Sequence, residues 1–155
     1  MSLLVAVTDS ICYRLLLAGH LTRGAVVRGK LHHDSSHILG PALVKAHKIE
    51  SKIAKYPRIV VDDSARPLLA QLFADEGRLI RADSDGLYVL DCLSHFDRPE
   101  RELEEARERI RIWAQRRAEQ YAGDERRYPK YEWLLNFLKV DRRRPSVETG
   151  HGQGT

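Results

Sequence analysis

Four side chains that often bind metals or transfer protons lie close together in the segment HHDSSH, residues 32 to 37. His32, His33, Asp34 and His37 supply imidazole and carboxylate groups, which are common zinc ligands in proteins. On a strand, however, His32 and His33 point to opposite faces, so they cannot hold one ion without help from the turn. We therefore interpret these side chains as solvated turn residues, with a metal site as the weaker alternative.

A second candidate is the helix that begins at Gly40-Pro41. The first N–H groups of a helix have no partner inside it, and with the helix dipole they form a natural site for an anion such as phosphate. Pro41 fits the first turn because its missing N–H would be unpaired there anyway. Most helix starts bind nothing, so an ordinary amphipathic helix remains the alternative.

The elements that must position these residues follow from apolar spacing. Helical spacing predicts helices over residues 3–18, 41–54, roughly 66–75 and 128–140, and a long helix capped by Asp97, although LLVAV at the start could be a short strand. Strands are predicted in RGAVVRGKLHH (23–33), in the short return segment HIL (37–39) after a DSS turn, and in RIVVDD (58–63). The segment RLIRADSDGLYVLD (78–91) predicts a hairpin around Ser84-Asp85-Gly86.

Length and composition set broad limits. The 155 residues, 43% of them apolar, fit one domain over 1–140, and the tail 141–155 has no apolar periodicity and is predicted to be disordered. The net charge of +4 tilts weakly towards anionic ligands, and we expect neither a nucleic acid nor a membrane as partner. Cys12 and Cys92 are isolated, which indicates neither a disulfide framework nor a zinc site. A cytoplasmic protein is expected.

Five segments, taken in order, resemble a known family. GPALVKAHKIES followed by YPRIVVDDSA resembles the helix and strand of class III nucleotidyl cyclases, which carry a Gly-x-x-x-Asn-x-x-x-Arg-x-Glu-Ser helix and a Tyr-Arg-Ile strand. Within that superfamily, RGAVVRGKLHH, the GPAL junction, AKYPRIVV, DSDGLYVLDCLSHF and KYEWLLNFL together resemble the bacterial anti-phage pyrimidine cyclases. Those enzymes convert CTP or UTP to cyclic CMP or cyclic UMP. The resemblance runs from about Leu15 to Leu138.

The resemblance implies roles for three residues of the 37–51 segment. Aligning Gly40 and Glu50-Ser51 with the family helix places Lys48 at the catalytic arginine position, where a cation stabilises the charge on a pentavalent phosphorus. Val44 then replaces a transition-state asparagine and offers no hydrogen bond. His37 lies where the family contacts the base, and Gly40 lies beside the substrate. An exposed turn histidine remains the alternative at position 37.

The resemblance also implies two Mg²⁺ or Mn²⁺ ions, held by two aspartates on an opening strand and the hairpin after it. This sequence begins too late to include that strand, and its candidate metal ligand is Asp9 in VTDSI. Only 13 residues separate Asp9 from Arg23, which leaves little room for the intervening strand and helix. We therefore expect Asp9 to be a surface helix residue, and the isolated chain to lack cyclase activity.

The implied fold is α+β, a ferredoxin-like class III cyclase domain without its first elements, with an antiparallel-rich sheet and helices on one side. The implied ligand is a nucleoside triphosphate, and the implied partner is a second copy or a full-length cyclase, because such sites form across a dimer interface. Two alternatives stay open. The chain could be a catalytically silent module that binds nucleotide or a cyclase, or the product of a truncated reading frame without activity.

Overall fold

The computed structural model describes residues 2–72, 79–93 and 99–139. Within these ranges the chain forms five helices and six short strands. In chain order they are α1 (Ser2–Leu17), β1 (Gly24–Val26), β2 (His32–His33), β3 (Ile38–Leu39), α2 (Pro41–Lys52), β4 (Ile59–Val61), α3 (Arg66–Leu72), β5 (Ile80–Ala82), β6 (Tyr88–Leu90), α4 (Glu100–Gln120) and α5 (Tyr128–Lys139).

Strands β1 and β4 lie side by side and run parallel, with Ala25 opposite Val60. Parallel neighbours need a long connection, and here that connection contains the β2–β3 hairpin and α2. Helix α2 contacts both strands. Its buried residue Ile49 packs with Ala54 and Val60. Strand β1, helix α2 and strand β4 therefore form a β-α-β unit, and the β2–β3 hairpin is inserted before the helix.

The main sheet has the strand order β1-β4-β6-β5 and is mixed. Strand β6 pairs antiparallel with both β4 and β5, so two of the three pairings in the described sheet are antiparallel. Hairpin β5–β6 turns at Gly86, whose φ of 80° is a conformation that glycine adopts without steric cost. The predicted α+β class and antiparallel-rich sheet agree with this arrangement.

Helices pack on both faces of the sheet, so the expectation of helices on one side is wrong. Val60 and Val61 are neighbours in β4 and are both 3% exposed. Val60 packs in a cluster with Ile49 of α2, and Val61 packs with Val5 and Leu69 of α1 and α3. Because successive strand residues point to opposite faces, these two clusters lie on opposite sides of the sheet.

The C-terminal helices α4 and α5 pack against each other and form much of the largest core cluster. Leu103 and Ile110 of α4 are buried there with Trp133 and Phe137 of α5. Tyr13 of α1 and Val89 of β6 join the same cluster, which attaches the helical pair to the sheet.

Most predicted elements agree with the structure in type and position. The single strand predicted over 23–33 is wrong, because β1 (Gly24–Val26) lies in the main sheet and β2 (His32–His33) lies in a separate hairpin. Helix α1 confirms the helical interpretation of residues 3–18, and its end at Gly19 has a positive φ of 80°. Among the apolar residues of α2, Ile49 is buried but Leu43 is exposed, as is Ile53 just after the helix. The Asp97 cap, the last residues of the predicted helix 66–75, and the tail 141–155 lie outside the described residues.

Candidate functional site

The histidine-rich turn lies at the tip of the exposed β2–β3 hairpin. Oδ1 of Asp34 accepts hydrogen bonds from the backbone N–H groups of Ser36 and His37, both at 2.8 Å. These bonds hold the pKa of Asp34 below its usual value, and the contact from His32 adds to the effect. The imidazoles of His32 and His37 are 62% and 69% exposed. These side chains are therefore exposed to solvent at the turn, and Asp34 serves to close the turn.

The start of α2 is fixed by close backbone packing around Gly40. Its φ of 146° and ψ of 166° lie in a region that is essentially confined to glycine. A Cβ atom at this position would lie 2.7 Å from the carbonyl oxygen of Lys30. The Ala42 N–H donates to that same carbonyl, and Pro41 has no N–H to offer. Fewer free N–H donors are therefore available to an anion at this helix start than at an ordinary one.

Lys48 lies on the solvent side of α2. It is exposed, and its ammonium takes part in no ion pair within the described ranges. Val44, one turn earlier on the same face, is 53% exposed. Ile49 faces the sheet instead and is 6% exposed. Lys48 is thus available to a group that approaches α2 from outside the chain.

A polar cluster that the sequence analysis missed lies where the parallel strands end. Oδ2 of Asp62, just after β4, accepts a hydrogen bond from Nζ of Lys45 at 2.7 Å and one from the Ser64 N–H at 2.9 Å. The Ser64 hydroxyl donates to the same oxygen, and its Oγ accepts from the Arg28 N–H at 3.2 Å. Burial raises the pKa of Asp62, but the bonds from Lys45 and Ser64 outweigh it and leave the pKa below its usual value.

This cluster fixes α2 to the sheet at the edge where open α/β sheets commonly bind ligands. Lys45 therefore has a structural partner, whereas Lys48, three residues later, projects into solvent. The sequence signal was the carboxylate and hydroxyl pair that directly follows RIVV. Its lysine partner, 17 positions earlier, could not be identified without the packing of α2.

Asp9 does not lie on the surface, and that expectation is wrong. It is in the middle of α1 and is 0% exposed. A metal ion that binds a nucleotide from solution must be reached by that nucleotide, and a side chain with 0% exposure is not open to solvent. Within the described part of the chain, no group of three or more His, Cys, Asp or Glu residues is placed to hold a metal ion. Asp9, in its buried position in α1, therefore does not fit the role of a metal ligand at a nucleotide site.

Arg58, directly before β4, forms a partly buried ion-pair network that the sequence did not reveal. Its guanidinium, 2% exposed, contacts Asp83 and lies 2.6 Å from Oδ2 of Asp85. These hydrogen bonds place the pKa of Asp85 below its usual value. Nε1 of Trp133 donates to Asp83 at 2.8 Å. The network joins β4, the tip of the β5–β6 hairpin and α5.

Comparison with protein families, with curated proteins and with solved structures finds no match. None of the helices in the described ranges is long and apolar enough to cross a membrane.

Proposed function

We propose that this chain supplies the cationic-helix half of a class III pyrimidine nucleotide cyclase site in bacterial anti-phage signalling. The reaction is attack of the ribose 3′-oxygen of CTP or UTP on the α-phosphorus, with release of pyrophosphate and formation of the 3′,5′-cyclic nucleotide. The observation that carries the proposal is the geometry of α2. The helix is fixed between β1 and β4 and still presents Lys48 to solvent without a partner in the described chain.

Lys48 stabilises the negative charge that develops on the pentavalent phosphorus. A lysine serves as a point cation and lacks the bidentate fork of arginine, so it stabilises charge without fixing two oxygens. His37 contacts the base from the hairpin, and Gly40 permits the close packing on Lys30 that fixes the start of α2. Mg²⁺ or Mn²⁺ supplies activation of the 3′-hydroxyl in this class of reaction, and we assign no metal ligand to the described residues.

The second candidate is a silent module that binds nucleotide or a complete cyclase without turning over substrate. Two observations favour it. Val44 offers no hydrogen bond where the family has a transition-state asparagine, and the one aspartate of the VTDSI element is buried in α1. Both candidates use the exposed face of α2, but they differ in whether Lys48 acts on the rate or only on binding.

The test is complementation between two polypeptides. The chain alone is incubated with CTP, UTP, ATP or GTP and Mn²⁺, and we expect no cyclic product above a boiled control. It is then mixed with a class III pyrimidine cyclase that keeps its metal aspartates but has alanine in place of its own helix cation. Restored synthesis of cyclic CMP or cyclic UMP would place the missing cation on this chain.

Lys48→Ala should lower the rate of the mixed complex by 10²–10³-fold, because removing one transition-state donor typically costs about 3–4 kcal/mol. Stability should barely change, since an exposed lysine contributes little. Lys52→Ala, on the same helix, is the matched control and should leave the rate unchanged. Equal rates with and without Lys48 would end the cyclase assignment for α2, and nucleotide binding without turnover would favour the silent module. Product made by the chain alone would contradict the half-site.

A further inference from the structure

The β2–β3 hairpin forms a sheet of its own, and both of its faces are open to solvent. Every residue from 28 to 39 is exposed. His32 lies opposite Leu39, and His33 lies opposite Ile38. Because neighbouring strand residues point to opposite faces, Leu39 and Ile38 lie on different sides of the hairpin, where they are 54% and 53% exposed. Each face of the hairpin therefore presents an aliphatic side chain to solvent.

Further exposed aliphatic residues lie where the hairpin meets α2. Leu43 and Val44, in the first turn of α2, are 44% and 53% exposed. Leu31 is 52% exposed, and its backbone packs on the helix start, since a Cβ atom at Gly40 would lie 3.1 Å from its Cα. We call the set around this junction the hairpin–helix surface: Leu31, Ile38, Leu39, Leu43 and Val44. Single exposed apolar residues are normal, but a cluster of them indicates an interaction site.

The cations beside the hairpin–helix surface lack acidic partners. Three of them have exposed side chains that form no ion pair within the part of the chain that the structure describes: Arg28, Lys30 and Lys48. The nearby carboxylates are already engaged, since Asp34 accepts hydrogen bonds from the turn N–H groups and Glu50 pairs with Arg23. Exposed aliphatic side chains are thus combined with uncompensated positive charge.

Several kinds of partner match this combination poorly. Residues 23–55 contain no Phe, Tyr or Trp, so the surface lacks the large aromatic rings on which single-stranded nucleic acids stack. In a lipid surface, Asp34 at the hairpin tip would meet anionic headgroups. A second copy can cover the aliphatic side chains, but face to face it would bring like charges together. A partner that carries both apolar and acidic side chains matches both properties.

We propose that the hairpin–helix surface binds an acidic amphipathic helix of a partner protein. The apolar stripe of that helix covers the aliphatic side chains, and its flanking carboxylates pair with Lys30 and Lys48. Val44 and Lys48 are four residues apart and therefore lie on one face of α2, so one partner helix can contact both. A bound helix would also cover the cation that the cyclase proposal uses.

The probe is a synthetic peptide of about 18 residues, with leucine at helical spacing and glutamate elsewhere. Its binding to the full chain is measured by calorimetric titration. Two reference peptides are compared with it: one has the same composition with leucine out of helical spacing, and the other has lysine in place of each glutamate. The acidic amphipathic peptide should bind at least about tenfold more tightly than either, and added salt should weaken its binding.

Val44→Glu and Lys30→Glu should each weaken binding of this peptide about tenfold, because the first replaces an apolar contact and the second an attracting charge with a repelling one. Ile112→Glu and Lys130→Glu make the same changes at exposed positions on α4 and α5. These two variants are the matched controls and should bind as the wild type does. Far-ultraviolet circular dichroism checks that all four variants are folded.

Three outcomes would overturn the assignment. They are no binding of the acidic amphipathic peptide at about 100 μM, equal binding of the two acidic peptides, and unchanged binding by Val44→Glu or Lys30→Glu. Binding of phosphatidylglycerol vesicles or duplex DNA, if lost in these two variants, would assign the surface to another class of partner and would also contradict it. Peptide binding is measured without turnover, so failure of this proposal is separate from failure of the cyclase proposal, which is tested in the mixed complex.

Discussion

Gly40 illustrates how one residue fixes the geometry of the α2 helix start. Replacement by alanine should destabilise the protein, because the backbone is in a region open only to glycine and the new Cβ would meet a backbone oxygen at 2.7 Å. Strain of this type costs about 1–3 kcal/mol before the clash is counted. Gly86→Ala is the control: its φ is also positive, but nothing lies within 4 Å of the added atom, and about 1 kcal/mol is expected.

Urea denaturation of the two variants measures the difference between these costs. A Gly40→Ala variant as stable as Gly86→Ala would show that the helix start relaxes easily. The close approach to Lys30 would then not define the geometry of the site.

Asp62 should make the folding stability of the protein depend on pH in the acidic range. Its pKa is lower in the folded protein than the ordinary 3.8, so protonation favours the unfolded chain. The stabilisation by the ionised Asp62 is complete when the pH is above the ordinary pKa of 3.8, and it is lost as the pH falls through the lower pKa of the folded protein. Asp62→Asn should therefore lower the melting temperature at neutral pH and reduce the loss on acidification.

Melting curves of the wild type and Asp62→Asn between about pH 7 and about pH 2.5 test this linkage. Asp63→Asn is the control, because Asp63 is 90% exposed beside the same turn. Parallel pH profiles for the wild type and Asp62→Asn would contradict the role given to Lys45 and Ser64.

At the scale of elements, α2 is attached by few buried contacts. Ile49 is its one buried residue, and the ion pairs Arg23–Glu50 and Lys45–Asp62 add contacts nearer the surface. Ile49→Ala should cost about 2–5 kcal/mol, as large-to-small changes in a core usually do. Ile53→Ala, at a 43% exposed site at the end of the helix, should cost about 1 kcal/mol or less.

Chemical denaturation of both variants checks this expectation, and near-ultraviolet circular dichroism shows whether the rest of the core stays folded. Similar losses of stability at the two positions would mean that α2 is attached through contacts spread along its length. The expectation that Ile49 alone dominates the attachment of α2 would then be wrong.

The elements were predictable because their signals are local. Pro41 after a glycine marked the start of α2, and Asp85-Gly86 between apolar runs marked the β5–β6 turn. The pairing of distant elements was not predictable. Nothing in RGAVV or RIVV states that they pair in parallel, and Arg58 finds its carboxylates 25 and 27 positions later. The burial of Asp9 was not predicted, because helical spacing alone does not show which side chains become covered when the elements pack.

The candidate site was predictable to a similar extent. The exposure of Lys48 followed from its spacing relative to Ile49, and the exposed His37 followed from the turn sequence. The Lys45–Asp62 pair was missed, because it depends on side chains that meet only after the elements have packed.

At the scale of the whole molecule, the β2–β3 hairpin and α2 expose an apolar surface. Leu31, Ile38 and Leu39 on the hairpin and Val44 on the helix are each more than half exposed. A cluster of this kind favours association, so we expect a dimer or larger species in solution. Leu39→Glu should shift the population towards monomer.

Light scattering over a wide concentration range measures this shift. Ile112→Glu places the same charge at another exposed apolar position, on α4, and should leave the association unchanged. A wild-type protein that stays monomeric at every concentration would contradict the expectation.

The buried Arg58 network also has a consequence for the order in which the protein assembles. A β1–β4 pair formed alone would leave the Arg58 guanidinium without its carboxylates, and burying an unpaired charge costs several kcal/mol. The Arg58 guanidinium can therefore become buried only together with Asp83 and Asp85, which the turned β5–β6 hairpin brings in. Burial of this end of β4 and formation of the hairpin should therefore appear in kinetic experiments as one cooperative step.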